Sequence, residues 1–249
     1  MIDPIEQFSI NKIFTIGHIG NQEIAFTNSS AFMFGTVAII SLLMIAGVSR
    51  NQLVPGRIQS IAELSYEFVA DTIRSTAGKE GMRFFPFVFS IFMLVTVSNL
   101  VGIFPFSFTI SSHIIVTAAL ALLVFFTVVF YGFYKNGLKF LKIFVPHGVP
   151  IYILPLVVAI EIFSFFVRPV SHSVRLFANM LAGHITLYVF ASFVTMIGGF
   201  GALGWFGAVL PLGLTVALSA LELLIAFLQA YVFAILTCIY LNDAIHPGH

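Results

Sequence analysis

Two long apolar stretches of this 249-residue chain contain side chains that could bind protons or carry a fixed charge. The candidates within residues 150–197 and 206–241 are Glu161, Arg168, His172, Arg175, Asn179, His184, Ser219, Glu222 and Gln229. Histidine and glutamate can accept and release protons, whereas an arginine guanidinium keeps its proton in proteins. Ionisable groups are costly in apolar surroundings and are therefore candidates for a functional site. The set predicts proton chemistry around a fixed positive charge.

The spacing of these candidates follows the helical period. At 100° per residue, four of them share a stripe within about 60° of Arg175. These four are Glu161, Arg168, His172 and Asn179. His184 falls about 180° from Arg175, on the opposite side of the same helix. On the next helix Ser219, Glu222 and Gln229 share a face, because seven residues make nearly two turns. We therefore expect the polar groups to face protein or water rather than lipid.

Arg175 cannot pass a proton along, so we expect it to act as a fixed charge. Against a carboxylate about 4 Å away, at an effective dielectric constant near 20, it stabilises the ionised form by about 4 kcal/mol. It could therefore take the proton from a passing carboxylic acid and block direct proton flow. The alternative is a purely structural ion pair with Glu222 or Glu161.

Several other candidates could have a packing role instead of a functional one. Arg168 precedes Pro169 and could anchor its helix, and His172 could hydrogen-bond a backbone carbonyl. Amide side chains in membrane helices often hydrogen-bond neighbouring helices. The residues to which this applies are Asn99, Asn179 and Gln229. Residue type alone is compatible with both roles.

The composition of the chain indicates a membrane environment. Hydrophobic residues make up 59% of it, charged residues only 8%, and the mean hydropathy is +1.07. Asp, Glu, Lys and Arg are absent from residues 24–49, 84–134, 143–160, 176–221 and 223–242. A spanning helix needs about 20 apolar residues, so these stretches provide about five or six helices. Their continuous apolar character argues against the alternating strands of a membrane β-barrel. We predict an all-α polytopic membrane protein.

The order of the segments predicts one membrane domain, 1–249, with about five membrane helices and one surface helix. An outer segment, 1–28, precedes a first helix at about 29–49. Charged and apolar residues recur at helical spacing over 57–78, which is typical of an amphipathic helix lying on the membrane surface.

Two helical hairpins are predicted in the rest of the chain. A polar break divides the stretch 84–134 into the first of them. The second hairpin, 150–241, consists of helices at about 150–197 and 206–241, joined by a glycine-rich turn. A helix of 48 residues would extend about 70 Å, so it must tilt strongly or bend at Pro169.

Basic loops predict how the chain crosses the membrane. Residues 50–83 and 135–142 carry eight of the 11 lysine and arginine residues. Such loops lie on the cytoplasmic side, or on the matrix side of a mitochondrion. The N-terminus is then outside and the C-terminus inside. Glu161 lies on the inner side of Arg175 and His184 on its outer side.

Charge and cysteine content exclude several kinds of site. The formal net charge of +1 gives no reason to expect nucleic acid as a partner. Cys238 is the single cysteine, which excludes an internal disulfide and leaves too few thiols for a zinc or iron–sulfur site. The sequence has no glycine-rich phosphate loop with Lys and Ser/Thr. We therefore expect no cofactor, no metal and no nucleotide chemistry in this chain.

Four segments carry a resemblance to a known family. They are RPVSHSVRLFANMLAGH (168–184), ALELLIAFLQAYVFAILTCIYL (220–241), VPGRIQSIAELSYEFV (54–69) and SNLVGIFPF (98–106). They resemble the signature regions of the F0 sector ATP synthase a subunit, of the bacterial type close to alphaproteobacterial and mitochondrial members. The resemblance implies that Arg175 faces a rotating ring of c subunits. It assigns Glu161 to the cytoplasmic half-channel, and to the proton path or rotor interface it assigns Asn179, His184, Glu222 and Gln229.

The same resemblance implies partners and a location. The expected partners are the c-subunit ring, the b/b′ peripheral stalk subunits, the remainder of the F-type ATP synthase, membrane lipid and protons. Whether H⁺ or Na⁺ is carried depends mainly on the c subunit. The expected location is a bacterial inner membrane, with a mitochondrial inner membrane as the alternative. The chain would conduct ions without being an enzyme by itself.

One exchange within the family bears on His184 and Glu222. Some bacterial members have glutamate at the first position and histidine at the second, which suggests that the two side chains meet across the helices. The individual role of each stays open. On this hypothesis, protons enter past the pair, protonate a c-subunit carboxylate that Arg175 had held ionised, and leave with the help of Glu161.

Two other function classes are compatible with a polytopic chain. A self-contained proton-coupled transporter would use midplane charges to bind a substrate, and internal repeats with broken helices would favour it. The sequence has no clear internal repeat. A passive structural anchor would need none of the ionisable side chains for its function.

Overall fold

The computed structural model describes residues 9–19, 22–49, 54–104, 107–145, 150 and 152–246. Within these residues, five helical stretches are long and apolar enough to cross a membrane. The α-helices are α1 (Asn28–Val48), α2 (Arg57–Gly81), α3 (Phe85–Ile103), α4 (Ile114–Asn136), α5 (Leu154–Gly198) and α6 (Ala202–Ile245). The prediction of an all-α polytopic membrane protein with about five membrane helices is confirmed.

The amphipathic helix predicted at 57–78 corresponds to α2. Its small and apolar side chains are buried at Ala62, Val69 and Ile73, while its acidic side chains are exposed. Gly78 has a φ of 66° and leaves the helical conformation at the predicted end, after which one further turn reaches Gly81. A residue with a Cβ rarely adopts this left-handed backbone, so glycine explains the break.

In the second hairpin, helix α5 is slightly shorter than its predicted range of 150–197, and helix α6 is longer than its predicted range of 206–241. Helix α5 contains 45 residues and α6 contains 44, or roughly 66 Å each at helical rise. Helix α5 continues through Pro169, which removes one backbone donor without ending the helix. Helix α6 starts four residues before the predicted 206 and ends four residues after 241. Gly204 is helical, so the turn between α5 and α6 is shorter than its glycine content indicated.

A β-hairpin precedes α1 and was not predicted. Strands β1 (Lys12–Ile19) and β2 (Gln22–Thr27) are antiparallel, and the rings of Phe14 and Phe26 stack with centroids 5.0 Å apart. The sequence analysis treated this region only as part of an outer segment, 1–28, of which residues 1–8, 20 and 21 lie outside the described residues.

A short helix replaces most of the basic loop predicted at 135–142. After α4, the chain forms the 3₁₀ helix Gly137–Phe144. Gly137 has a φ of 52° and turns the chain out of the α-helical path. The basic residues are therefore held on a regular element rather than in an irregular loop.

The chain divides into two compact units. The first unit consists of Met1–Ser41, Leu94–His113 and Leu176–Gln229. The second consists of Leu42–Met93, Ile114–Arg175 and Ala230–His249. Helices α1, α3, α5 and α6 each contribute residues to both, so the candidate side chains are described unit by unit. The single domain of the sequence analysis stays a prediction.

Candidate functional site

His184 of α5 and Glu222 of α6 come together in the first unit. Both side chains are buried, with 5% and 4% of their surface exposed. His184 Nδ1 lies 3.4 Å from Glu222 Oε1, and His184 Nε2 lies 3.0 Å from the hydroxyl of Thr109. The sequence prediction that the two side chains meet across their helices is confirmed. Thr109, which lies between α3 and α4, is a partner that the prediction missed.

The carboxyl group of Glu222 fits beside a glycine and has no hydrogen-bond donor among the described residues. A Cβ atom at Gly183 would lie 2.9 Å from Glu222 Oε1, so glycine leaves room for the carboxyl group there. The approach of the imidazole is a close contact rather than a hydrogen bond, and neither carboxyl oxygen accepts a hydrogen bond from the described residues. A buried carboxylate without donors is costly. This group is therefore suited to bind and release a proton.

A second buried polar cluster in the first unit centres on Asn99 of α3. Its side-chain amide donates to the backbone oxygen of Ala226 at 3.3 Å, and its oxygen accepts from the Ser111 hydroxyl at 2.6 Å. Asn99 is fully buried and Ser111 is 3% exposed. The prediction of a helix-to-helix hydrogen bond for Asn99 is confirmed. The sequence analysis did not identify Ser111 as a partner of Asn99.

Asn179 and Gln229 form a direct link between α5 and α6 in the same unit. The Asn179 amide donates to Gln229 Oε1 at 2.9 Å. Gln229 is buried, whereas Asn179 is exposed. Both amides therefore hydrogen-bond a neighbouring helix, as the packing role for these residues requires.

Arg175 ends the α5 portion of the second unit and is exposed. Its neighbour in the chain, Leu176, is fully buried. Arg175 forms no ion pair with any acidic side chain that the structure describes. The alternative of a structural ion pair with Glu161, which lies in the same unit, is therefore wrong, whereas the alternative with Glu222, a residue of the first unit, stays a prediction.

Arg168 is held by three side chains in the second unit. Its guanidinium donates to Asp243 Oδ2 at 2.8 Å and lies 5.2 Å and 5.7 Å from the ring centroids of Tyr240 and Phe165. The side chains of Arg168 and Asp243 are 25% and 30% exposed. The geometry supports the anchoring role considered for Arg168. Asp243 was missed, although it is the first charged residue after the apolar run 223–242 and could have been found by that position.

The remaining candidates do not join one cluster. His172 is 3% exposed and packs on Phe233 with ring centroids 3.7 Å apart. Its Nε2 has no hydrogen-bond partner among the described residues, and a bond from its other ring nitrogen, Nδ1, to a backbone carbonyl stays a prediction. Glu161 is half-buried and forms no ion pair within the described ranges. The Ser219 hydroxyl donates to the backbone oxygen of Thr215 in its own helix at 2.8 Å.

Comparison with known proteins identifies the family. A family model described as the ATP synthase A chain matches residues 30–242. The chain belongs to the ATP synthase A chain family. It is 79% identical over 249 residues to ATP synthase subunit a of Nitrobacter winogradskyi, with both chains fully covered. It is 77% identical over 247 residues to ATP synthase subunit a of Rhodopseudomonas palustris strain TIE-1, covering 99% of each chain.

The range shared with the ATP synthase A chain family contains every candidate of the sequence analysis. It ends one residue before Asp243 and begins after the β-hairpin. The described residues of this family member also contain no group of three or more His, Cys, Asp and Glu side chains that could hold a metal ion.

Proposed function

We propose that this chain is the proton-translocating a subunit of an F-type ATP synthase, in which protons move through two offset half-channels. The observation that carries the proposal is the buried contact of His184 with Glu222 in a member of the ATP synthase A chain family. Two titratable side chains in contact can pass a proton between them, and the Thr109 hydroxyl can either donate to the imidazole or accept from it.

Arg175 is the proposed electrostatic partner of the c-subunit ring. Its exposure and its lack of an ion pair within the described residues support an interaction with another chain. A c-subunit carboxylate about 4 Å away would be stabilised in its ionised form by about 4 kcal/mol. Because guanidinium does not release its proton, the same group keeps the two half-channels from exchanging protons directly.

The outer half-channel would use His184 and Glu222, with Asn179 and Gln229 at its rotor side. The inner half-channel would use Glu161. A c-subunit carboxyl group protonated at the outer side becomes neutral and can face lipid at low cost. Each proton delivers roughly 2.3 kcal/mol per 100 mV of membrane potential, so several are needed for each ATP.

The proposal includes an orientation and partners. The basic segments support an orientation with the N-terminus outside and the C-terminus in the cytoplasm of a bacterial cell, and the proposed location is the inner membrane. The c ring and the b/b′ peripheral stalk are the proposed neighbours. The proposed role of this chain is ion conduction, and it leaves nucleotide chemistry to other subunits, since the sequence has no phosphate-binding loop.

The test is ATP synthesis by the complete ATP synthase in vesicles energised by an imposed proton gradient. We expect Arg175→Ala to abolish synthesis while the complex still assembles. The matched control is Arg74→Ala, which removes an exposed arginine that pairs with Asp71 within α2. Synthesis that survives in Arg175→Ala would support a passive anchor, and synthesis driven by Na⁺ without a proton gradient would contradict proton transport.

A further inference from the structure

The 3₁₀ helix Gly137–Phe144 is fixed to the end of α4 by one aromatic side chain. Phe140 is 1% exposed, and its ring fills the space beside Gly132 where a Cβ atom would overlap it. The Phe133 ring lies 5.1 Å from Phe140 between centroids, and the Phe165 ring lies 6.4 Å away. The orientation of the short helix is therefore set by packing rather than left to a mobile loop.

The sequence of this short helix gives it three different faces. A 3₁₀ helix has three residues per turn, so side chains at positions i and i+3 align. Phe140 and Ile143 share the face directed toward the protein, where they are buried and half-buried. The other two faces pair Leu138 with Leu141 and Lys139 with Lys142. All four of these side chains are exposed, Leu138 to 81% and Leu141 to 46%.

Neither lysine on the exposed face is neutralised within the described residues. Lys135, at the end of α4, pairs with Glu80 of α2. Lys139 and Lys142 form no ion pair with an acidic side chain in the described ranges. Two ammonium groups with no ion pair among the described residues thus lie next to two exposed leucines, at the end of the stretch Ile114–Phe144, which is long and apolar enough to cross a membrane.

We propose that Leu138, Lys139, Leu141 and Lys142, here called the lysine–leucine surface, bind anionic phospholipid. The leucines would enter the boundary of the acyl chains, and the ammonium groups would contact the lipid phosphate. An element with one apolar and one cationic face is typical of a membrane interface. The charge selects anionic lipid over zwitterionic lipid, because lysine near a membrane surface is attracted to negative headgroups.

Lipid binding at this surface is a different property from proton conduction, and its test measures fluorescence rather than proton flux. The chain has a single tryptophan, so the full chain with Trp205→Phe and Leu138→Trp carries one fluorescent reporter on the lysine–leucine surface. The reporter chain would be placed in phosphatidylcholine nanodiscs containing a small fraction of lipid with brominated acyl chains, which quench tryptophan. The brominated lipid is phosphatidylglycerol in one sample and phosphatidylcholine in the other.

We expect brominated phosphatidylglycerol to quench the reporter at a much lower fraction than brominated phosphatidylcholine. Lys139→Gln and Lys142→Gln should each reduce this preference by roughly fivefold, and the double variant should remove most of it. Lys139→Arg/Lys142→Arg should retain the preference because the charge is kept. Lys12→Gln, which changes a lysine of β1, is the matched control and should leave the preference unchanged.

Two results would overturn the proposal. Equal quenching by the two lipids would show that the lysines do not select an anionic headgroup. A reporter that neither lipid quenches, and that becomes shielded from water only in the complete ATP synthase, would assign the surface to a protein partner.

Discussion

Two polar clusters of this chain are built in opposite ways. In the second unit, the Arg168 guanidinium is occupied by Asp243 and by the faces of two aromatic rings. In the first unit, the carboxyl oxygens of Glu222 accept no hydrogen bond from described residues, and His184 touches Glu222 without a hydrogen bond to it. The Arg168 guanidinium thus has a charged hydrogen-bond acceptor, whereas the Glu222 carboxyl group has no hydrogen-bond donor among the described residues.

The difference separates a structural charge from a group that can exchange protons. Removing one member of a partly buried ion pair destabilises the protein, because the charge of the other member is left uncompensated. A titratable pair with spare acceptors can change its protonation without breaking a fixed network. The sequence analysis selected Arg168 and Glu222 for the same reason, since both are ionisable residues within long apolar helices. The side chains around each of them now distinguish the structural charge from the proton-binding group.

Of the changes that test this comparison of the two clusters, the largest effect is expected from breaking the His184 and Glu222 pair. Glu222→Gln should reduce proton-driven ATP synthesis about 100-fold, a typical contribution of a positioned acid or base, with little change in stability. ATP synthesis and thermal unfolding of the same preparation measure the two effects. The double variant His184→Glu/Glu222→His should recover part of the loss. Failure to recover any activity would contradict the role of the pair as a unit.

Breaking the Arg168 and Asp243 ion pair should change stability instead. Asp243→Ala should destabilise the chain by about 1–2 kcal/mol, because the half-buried guanidinium loses its charged acceptor. A double-mutant cycle with Arg168→Ala, followed by unfolding in detergent, measures the coupling. The control is Asp71→Ala, which breaks an exposed pair with Arg74 and should have little effect. A coupling energy near zero for Arg168 and Asp243 would remove the contrast between the clusters.

Thr109 offers a smaller change within the proton-binding cluster. Thr109→Val removes the hydroxyl that contacts His184 at 3.0 Å and should lower proton-driven ATP synthesis about fivefold, the equivalent of one hydrogen bond of about 1 kcal/mol. The pH dependence of ATP synthesis by Thr109→Val should also shift, because the imidazole of His184 loses a polar neighbour. Thr109→Ser keeps the hydroxyl and should behave as the unaltered chain does. A lower rate with an unchanged pH profile would make Thr109 a packing residue.

The smallest effect is expected from an exposed ion pair. The hydrogen bond and positive charge of Lys135 hold the pKa of Glu80 below its ordinary value of 4.5. A lowered carboxyl pKa gives a stabilisation that is present above the ordinary pKa and is lost as the pH falls through the lowered one. The difference in Tm between the unaltered chain and Glu80→Gln should therefore be small at pH 7 and vanish in acid. A difference that grows as the pH falls would contradict this sign.

Helices and their order could be predicted because each apolar stretch is long and continuous. The predicted end of α2 at 78 coincides with the left-handed Gly78. Shorter elements were missed for physical reasons. The β-hairpin buries little surface and has weak sequence signals, and the 3₁₀ helix Gly137–Phe144 depends on Phe140 packing beside Gly132. No local pattern encodes that contact.

The candidate site was predicted in part. Helical spacing identified the polar stripe around Arg175, and family exchange predicted that His184 meets Glu222. Thr109, Ser111 and Asp243 were not identified, because their partners are 75, 12 and 75 residues away in the chain. Hydroxyl groups in the polar break between α3 and α4 also give no sequence signal that distinguishes a buried hydroxyl from a solvated one.

The sequence by itself determined that this chain is a helical membrane protein with proton-binding side chains around an arginine that cannot release its proton. Composition and periodicity suffice for this, since apolar length and guanidinium chemistry do not depend on the partners. Only the tertiary structure decided which charges are satisfied. Arg168 and Arg175 lie seven residues apart on one helix, yet one is paired with Asp243 and the other forms no ion pair within the described residues. Long-range packing supplies those neighbours, and helical spacing cannot.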